Sequence, residues 1–275
     1  MNKELVNCII NNPTDRRKFM KRVGAMGIGV AAATMLGGNL GKIEAASITD
    51  TEAASITDAD ILNFALNLEY LEGEFYSVAT TGKTLLELGI LKQGEESGPT
   101  TGGEKVDFTG CSHIEFVANA LAHDEQTHVL YLRSALGSAA VKKPTIDLDT
   151  LGYGFKDVDS FLKLGRQFED VGVSAYLGAA PLIKNKTYLG AAAAIMATEA
   201  QHSGSVRLEC IERGVVSPAV DSLDVPPTRK TPYDVDKNSL SIPGTTAQVL
   251  NIVYAGGNCS GGFYPDGMNG TIICQ

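Results

Sequence analysis

The chain has 275 residues, enough for one sizeable core with room for additions. At 44% hydrophobic and 20% charged, it has the make-up of an ordinary globular protein. A net charge of −9, with no basic stripe beyond the N-terminus, excludes a nucleic-acid-binding surface.

That charge is unevenly spread. Residues 1–46 hold seven Lys/Arg against three acids, net +4, while the remainder holds 16 against 29, net −13. A basic head on an acidic body calls for a targeting explanation. Within the head, Thr14-Asp15-Arg16-Arg17-Lys18-Phe19-Met20-Lys21 resembles the twin-arginine export signal. The mildly apolar, Gly- and Ala-rich run Val23 to Leu36 follows it. This run is too short and too weakly hydrophobic for a stable span, but it suits a cleaved signal core. The other reading is a basic helix lying on a membrane or an uncleaved anchor. Cleavage is expected near Ala45–Ser47, leaving a periplasmic or extracellular protein with no stable membrane span. The export resemblance implies a passenger that folds, and loads its cofactor, before crossing. Residues 47–59 form the expected linker, where Glu44 to Asp50 is repeated at Glu52 to Asp58.

Residues 60–213 carry four helical patterns. The first runs from Asp60 to about Thr80, with Asp58 or Asp60 as N-cap. Leu62, Ala65, Leu66, Glu69, Gly73 and Tyr76 recur at i, i+3, i+4, i+7 and predict its buried stripe. Glu69 lies mid-stripe. Glu72 sits about 60° from it and is the second choice; Glu74, about 140° away, is expected in solvent. A Gly-rich connection, with a short helix expected over Thr84 to Lys92, leads to the second helix, about Ser112 to Leu136. Its stripe reads Ala118, Leu121, Ala122, Glu125, His128, Val129, Leu132. Some twenty residues without helical period follow, ample to travel a bundle's length at about 3.3 Å each.

The third helix, roughly Ser160 to Ala180, matches the first at an offset of 100: Leu162, Glu169 and Tyr176 answer Leu62, Glu69 and Tyr76. The fourth, about Tyr188 to Ile211, matches the second at an offset of 74: Glu199, His202 and Arg207 answer Glu125, His128 and Arg133. A short Pro-containing turn makes helices three and four antiparallel neighbours. The expected fold is therefore all-α, a four-helix bundle with one long crossover, the ferritin-like arrangement. Residues 214–275, broken by prolines and glycines, form a loop-rich extension with a short helix over Ala247 to Ala255, packed on the bundle.

The repeat gathers a candidate site. Glu125-Gln126-Thr127-His128 and Glu199-Ala200-Gln201-His202 are both Glu-x-x-His, and i, i+3 spacing puts carboxylate and imidazole on one face. With Glu69 and Glu169 they give four carboxylates and two imidazoles, the ligand pattern of di-metal carboxylate bundles. Four carboxylates balance two divalent cations, and imidazole favours Fe, Mn or Zn over Mg or Ca. Two Fe or two Mn ions are the expected cofactors, with Zn an alternative. Glu72, Tyr76 and Tyr176, and Arg133 and Arg207, are candidates for holding the ligands from behind, against the plainer roles of core tyrosine and helix-end salt bridge. His113 and His123 are not expected as ligands. Cys8 falls in the signal; the remaining four cysteines permit two disulfides. Cys259–Cys274 is one expectation, and Cys111 and Cys210 lie near enough in this topology for a second.

Taken together, the motifs, the first-helix wording Leu62-Asn63-Phe64-Ala65-Leu66-Asn67-Leu68-Glu69-Tyr70-Leu71-Glu72 and the tail Gly261-Gly262-Phe263-Tyr264-Pro265 carry a family resemblance. The chain resembles the ferritin-like superfamily of rubrerythrin, bacterioferritin and manganese catalase, above all its exported, desiccation-related branch. That resemblance implies redox chemistry with O2 or peroxide, in oxidative or desiccation stress. The alternative is a non-catalytic protective or structural envelope protein with a stabilising metal. A homo-oligomer stays open, though the extension would encumber a storage shell.

Overall fold

A computed structural model describes residues 56–275. The export-like head, its cleavage region, Cys8 and most of the tandem repeat lie outside the described residues.

Helix α1 spans Asp58–Thr81. Its cap is Thr57: the hydroxyl accepts from the Asp60 amide at 3.2 Å, and the Asp60 carboxylate accepts from the Thr57 amide at 2.9 Å. This reciprocal pair satisfies two otherwise unpaired N-terminal donors. Neither expected aspartate is the cap. Asp58 instead accepts from the Lys184 and Asn185 amides at 2.9 and 2.7 Å, fastening the start of α1 to the turn that joins the third and fourth helices. Gly82, at φ +74°, closes the helix by donating to the Val78 carbonyl.

Every residue from Ile61 to Thr80 is buried. The striped, half-exposed helix expected from the pattern is in fact a central rod. Glu74 corrects the helical-wheel reading most sharply. Its side chain is fully buried, accepts from the Leu85 amide at 3.1 Å and lies 3.9 Å from the Lys143 ammonium. The loop after α1 and the long crossover cover the side of α1 that would otherwise face water.

Helices α2 (Ser112–Leu136), α3 (Val158–Ala179) and α4 (Lys186–Arg213) complete the bundle. The α2 stripe is buried as expected, from Ile114 and Ala118 to Val129 and Leu132. An Asp157–Ser160 capping box starts α3, and the Asn185 side chain caps α4. Side-chain bonds fix the directions. Gln126 reaches Ser77 while Arg133 reaches Tyr70, so α1 and α2 run antiparallel. Tyr76 meets Glu169 while Tyr176 meets Glu69, so α1 and α3 run antiparallel too. The segment from α2 to α3 must therefore travel the bundle's length. On the way its strand Ile146–Asp147 pairs in parallel with Thr100–Thr101 of the first connection. Residues Thr84 to Lys92 make turns rather than the expected helix; a single Leu88-to-Thr84 bond forms before Gly89, at φ +73°, turns the chain away.

Helix α5 (Thr246–Val253) carries its own capping box and packs on α3. The end of the chain grips α1 through Asn67: its carbonyl accepts from the Tyr264 hydroxyl, and its amide group trades bonds with the Asn269 backbone. The Cys259–Cys274 disulfide closes this last loop. Cys111 and Cys210 are free thiols, so the second expected bridge does not form; Cys210 is buried and its thiol faces the Leu162 carbonyl. No described helix is long and apolar enough to cross a membrane.

Candidate metal centre

Each of the four long helices brings its ligand candidates to one interior point. Glu69, Glu125, Glu169 and Glu199 have no exposed surface, and His128 and His202 are buried. His128 Nδ1 lies 3.2 Å from Glu69, 3.1 Å from Glu125 and 3.1 Å from Glu199. His202 Nδ1 lies 2.9 Å from Glu125 and 3.4 Å from Glu169. The donors fall into two overlapping groups, Glu69-Glu125-His128-Glu199 and Glu125-Glu169-Glu199-His202, each compact enough to surround one ion. Glu125 and Glu199 belong to both.

The electrostatics say what such a cluster lacks. Burial pushes the Glu69 carboxyl up to about 7, and pushes Glu199 and Glu169 up as well. Glu125 goes the other way: burial opposes its ionisation, but two flanking imidazoles hold its carboxyl well below the usual range. Burial alone would lower His128 and His202, yet the surrounding carboxylates raise both far above an ordinary histidine. One N–H facing two or three carboxylates can satisfy only one of them. Accordingly Glu125 Oε1, Glu169 Oε2, both Glu199 oxygens and His202 Nδ1 are buried with no hydrogen-bond partner. A buried ion costs several kcal/mol even after relaxation. Four about one point would rival a whole domain's net stability of about 5–15 kcal/mol. Oxygen and imidazole donors facing inward without protons enough to share are what a pair of cations would complete.

Two tyrosines brace the cluster symmetrically. The Tyr76 hydroxyl on α1 donates to Glu169 on α3, and the Tyr176 hydroxyl on α3 donates to Glu69 on α1, each at 2.5 Å. Burial and the adjacent carboxylates raise both phenols well above their usual value, so they remain donors. Of the two roles left open for the arginines, the salt bridge is the one found. Arg133 pairs with Glu95 at 2.7 Å and with the Tyr70 hydroxyl, at the α2 end. Arg207 is buried against Asp170 at 2.6 Å, and Arg166 binds Asp170 and Asp224, on the outer side of α3. Neither touches a ligand candidate, because each points away from the bundle axis into the loops that cover it. His113 pairs with Glu209 on the surface, and His123 is exposed.

One contact escaped the sequence. His202 Nε2 lies 3.3 Å from Asp124, which orients the ring from outside. Asp124 lies in the same turn as Glu125, but the matching position on α4 is Thr198, so the repeat gave no signal for it.

The geometry meets an independent finding. A family model described as a ferritin-like domain matches residues 57–211, more than half of the chain. The chain belongs to the ferritin-like domain family. The match starts at the cap of α1 and ends in the last turn of α4, so all six ligand candidates fall within the ferritin-like domain. A protein named ferritin-like catalase Nec2, from Nesocodon mauritianus, is 22% identical to this ferritin-like chain over 275 residues. That match covers 81% of this chain and 87% of the relative.

Proposed function

We propose that this protein is an exported di-metal carboxylate oxidoreductase acting on hydrogen peroxide or O2. The observation that carries the reading is the set of buried donor atoms left without partners around a symmetric Glu/His cluster. Glu69, Glu125, His128, Glu169, Glu199 and His202 would hold two Fe or two Mn ions. Such a pair supplies two one-electron changes at one place, which matches the two-electron conversion of a peroxide bond.

The chain's own residues supply the rest. Tyr76 and Tyr176 lock Glu169 and Glu69 in place, so the donor set needs little rearrangement on loading. Asp124 fixes the His202 ring and leaves its Nδ1 directed inward. Apolar side chains exclude bulk water: Leu62, Leu66, Leu121, Ala122, Leu162 and Ile195 are all buried. The name of the relative favours peroxide dismutation, 2 H2O2 → 2 H2O + O2, over O2 reduction. The twin-arginine-like head supports loading before export and a place in the cell envelope.

An oxygen electrode tests this directly. Protein loaded with Mn or Fe is expected to release O2 from peroxide, and Glu125→Ala to lose that release with its metal. Fully loaded protein that turns over neither peroxide nor O2 would overturn the redox reading and leave a metal held for stability.

A further inference from the structure

The internal repeat supplies a control for a second site, away from the candidate metal centre. At the offsets of 100 and 74, Tyr70, Gln126, Val129 and Leu130 of the first helix pair answer Asp170, Ala200, Ser203 and Gly204 of the second. Each exchange puts a smaller side chain in the second pair. There a cavity of about 190 Å³ opens between α3, α4 and the extension, with these four residues in its walls. Packing does not require the smallest of them. Gly204 lies inside α4, where helix propensity disfavours glycine, and a Cβ placed on it meets no neighbouring atom within 4 Å.

The extension roofs this space and is fastened by Arg207, which donates to the Val225 and Pro232 carbonyls at 2.7 and 2.8 Å. Beneath it the charges do not balance. Oxygens of Asp170, Asp224 and Asp234 lie within 4.8 Å of one another, and Arg166 and Arg207 are the two cations paired with the group. Asp170 is engaged by Ser203, Arg207 and Arg166, and Asp224 takes Arg166 with both oxygens. Asp234 accepts from the Val225 amide at 3.3 Å through one oxygen, and its other oxygen meets no donor among the described residues. Burial, and then the neighbouring Asp170, pushes its carboxyl up to about 6. The other walls are mixed. Val173, Val235 and Ile242 are apolar, Ser174 and Ser241 carry hydroxyls, and Tyr233 is 65% exposed at the rim.

We propose that this cavity binds a small organic ammonium ion, with Asp234 as its counterion. One free carboxylate oxygen is too few for a bare Ca(II), which takes about six to eight oxygens. An ammonium N–H can donate to Asp234 and to a serine hydroxyl, while the carbon body lies against Val173 and Ile242, the usual mixture of a small-molecule site. The Tyr233 ring at the rim is available for a cation–π contact. Ala200 and Ser203 neighbour Glu199 and His202 on α4, but none of the six metal-ligand candidates lines the cavity, so the inference does not rest on the di-metal reading.

Calorimetric titration of the full chain with ethanolamine and with choline, at neutral pH and constant ionic strength, tests the assignment. At least one of the two cations is expected to saturate a single site per chain. Ethylene glycol, a neutral body close in size to ethanolamine, is expected to bind about tenfold more weakly or worse. Asp234→Asn, which keeps the shape and removes the charge, should weaken the cation by about tenfold or more. Gly204→Leu, which restores the residue of the first helix pair, should abolish binding while melting no lower than wild type. Binding is expected to persist after the protein is treated with a chelator, which separates this site from the metal centre. Absence of saturable binding by either cation would overturn the proposal. Equal binding of ethylene glycol, unchanged affinity in both variants, or loss of binding on chelation would overturn it as well.

Discussion

At the scale of single residues, the site depends on groups that hold the ligands rather than on the ligands alone. Tyr76 and Tyr176 each donate one hydrogen bond to a carboxylate contributed by the other's helix. Losing partners of this kind typically weakens metal binding by about 10–100-fold. Tyr76→Phe and Tyr176→Phe are therefore expected to weaken Mn(II) uptake within that range, by competition against a chelator. A double variant no weaker than either single would contradict two separate braces. The six ligand candidates and both tyrosines were legible because each sits on an apolar helical stripe and recurs at a fixed offset. Glu74 was misread because a helical wheel reports direction relative to a stripe, whereas burial depends on which distant loop lies over the other side, and Lys143 is far away in sequence. Asp124 has no counterpart at the offset of 74, where Thr198 stands, so the repeat could not announce it.

At the scale of elements, α2 and α4 behave as their patterns predict, with one buried face, while α1 is enclosed on all sides. That difference comes from the loop after α1, the crossover and the end of the extension, which together cover its remaining side and whose composition gave their irregularity but not their docking surface. The contact between α3 and the segment entering α5 is a direct approach of backbones: a Cβ on Gly178 would lie 1.9 Å from the Gly244 carbonyl oxygen. Two effects compete in Gly178→Ala. Helix propensity would gain up to about 1 kcal/mol. Overpacking against a backbone atom costs about 1–3 kcal/mol. The clash outweighs the gain, so the variant is expected to be less stable in urea and to exchange amide hydrogens faster across Thr246–Val253. Greater stability with unchanged exchange would show that the extension can shift aside freely.

At the scale of the whole molecule, the repeat builds a bundle with approximate two-fold symmetry, and the crossover closes it with α1 and α3 antiparallel across the centre. Two helix pairs brought together in this way confine four carboxylates that could not remain charged there alone. The charge of the cluster, more than the sequence of any one motif, is what ties the fold to the proposed metal. Elemental analysis of the purified protein tests that tie most directly. About two Fe or Mn per chain are expected, the number such a ligand set holds, with loss in Glu125→Ala and His202→Ala. Wild-type protein without stoichiometric metal, or both variants retaining wild-type content, would contradict the account.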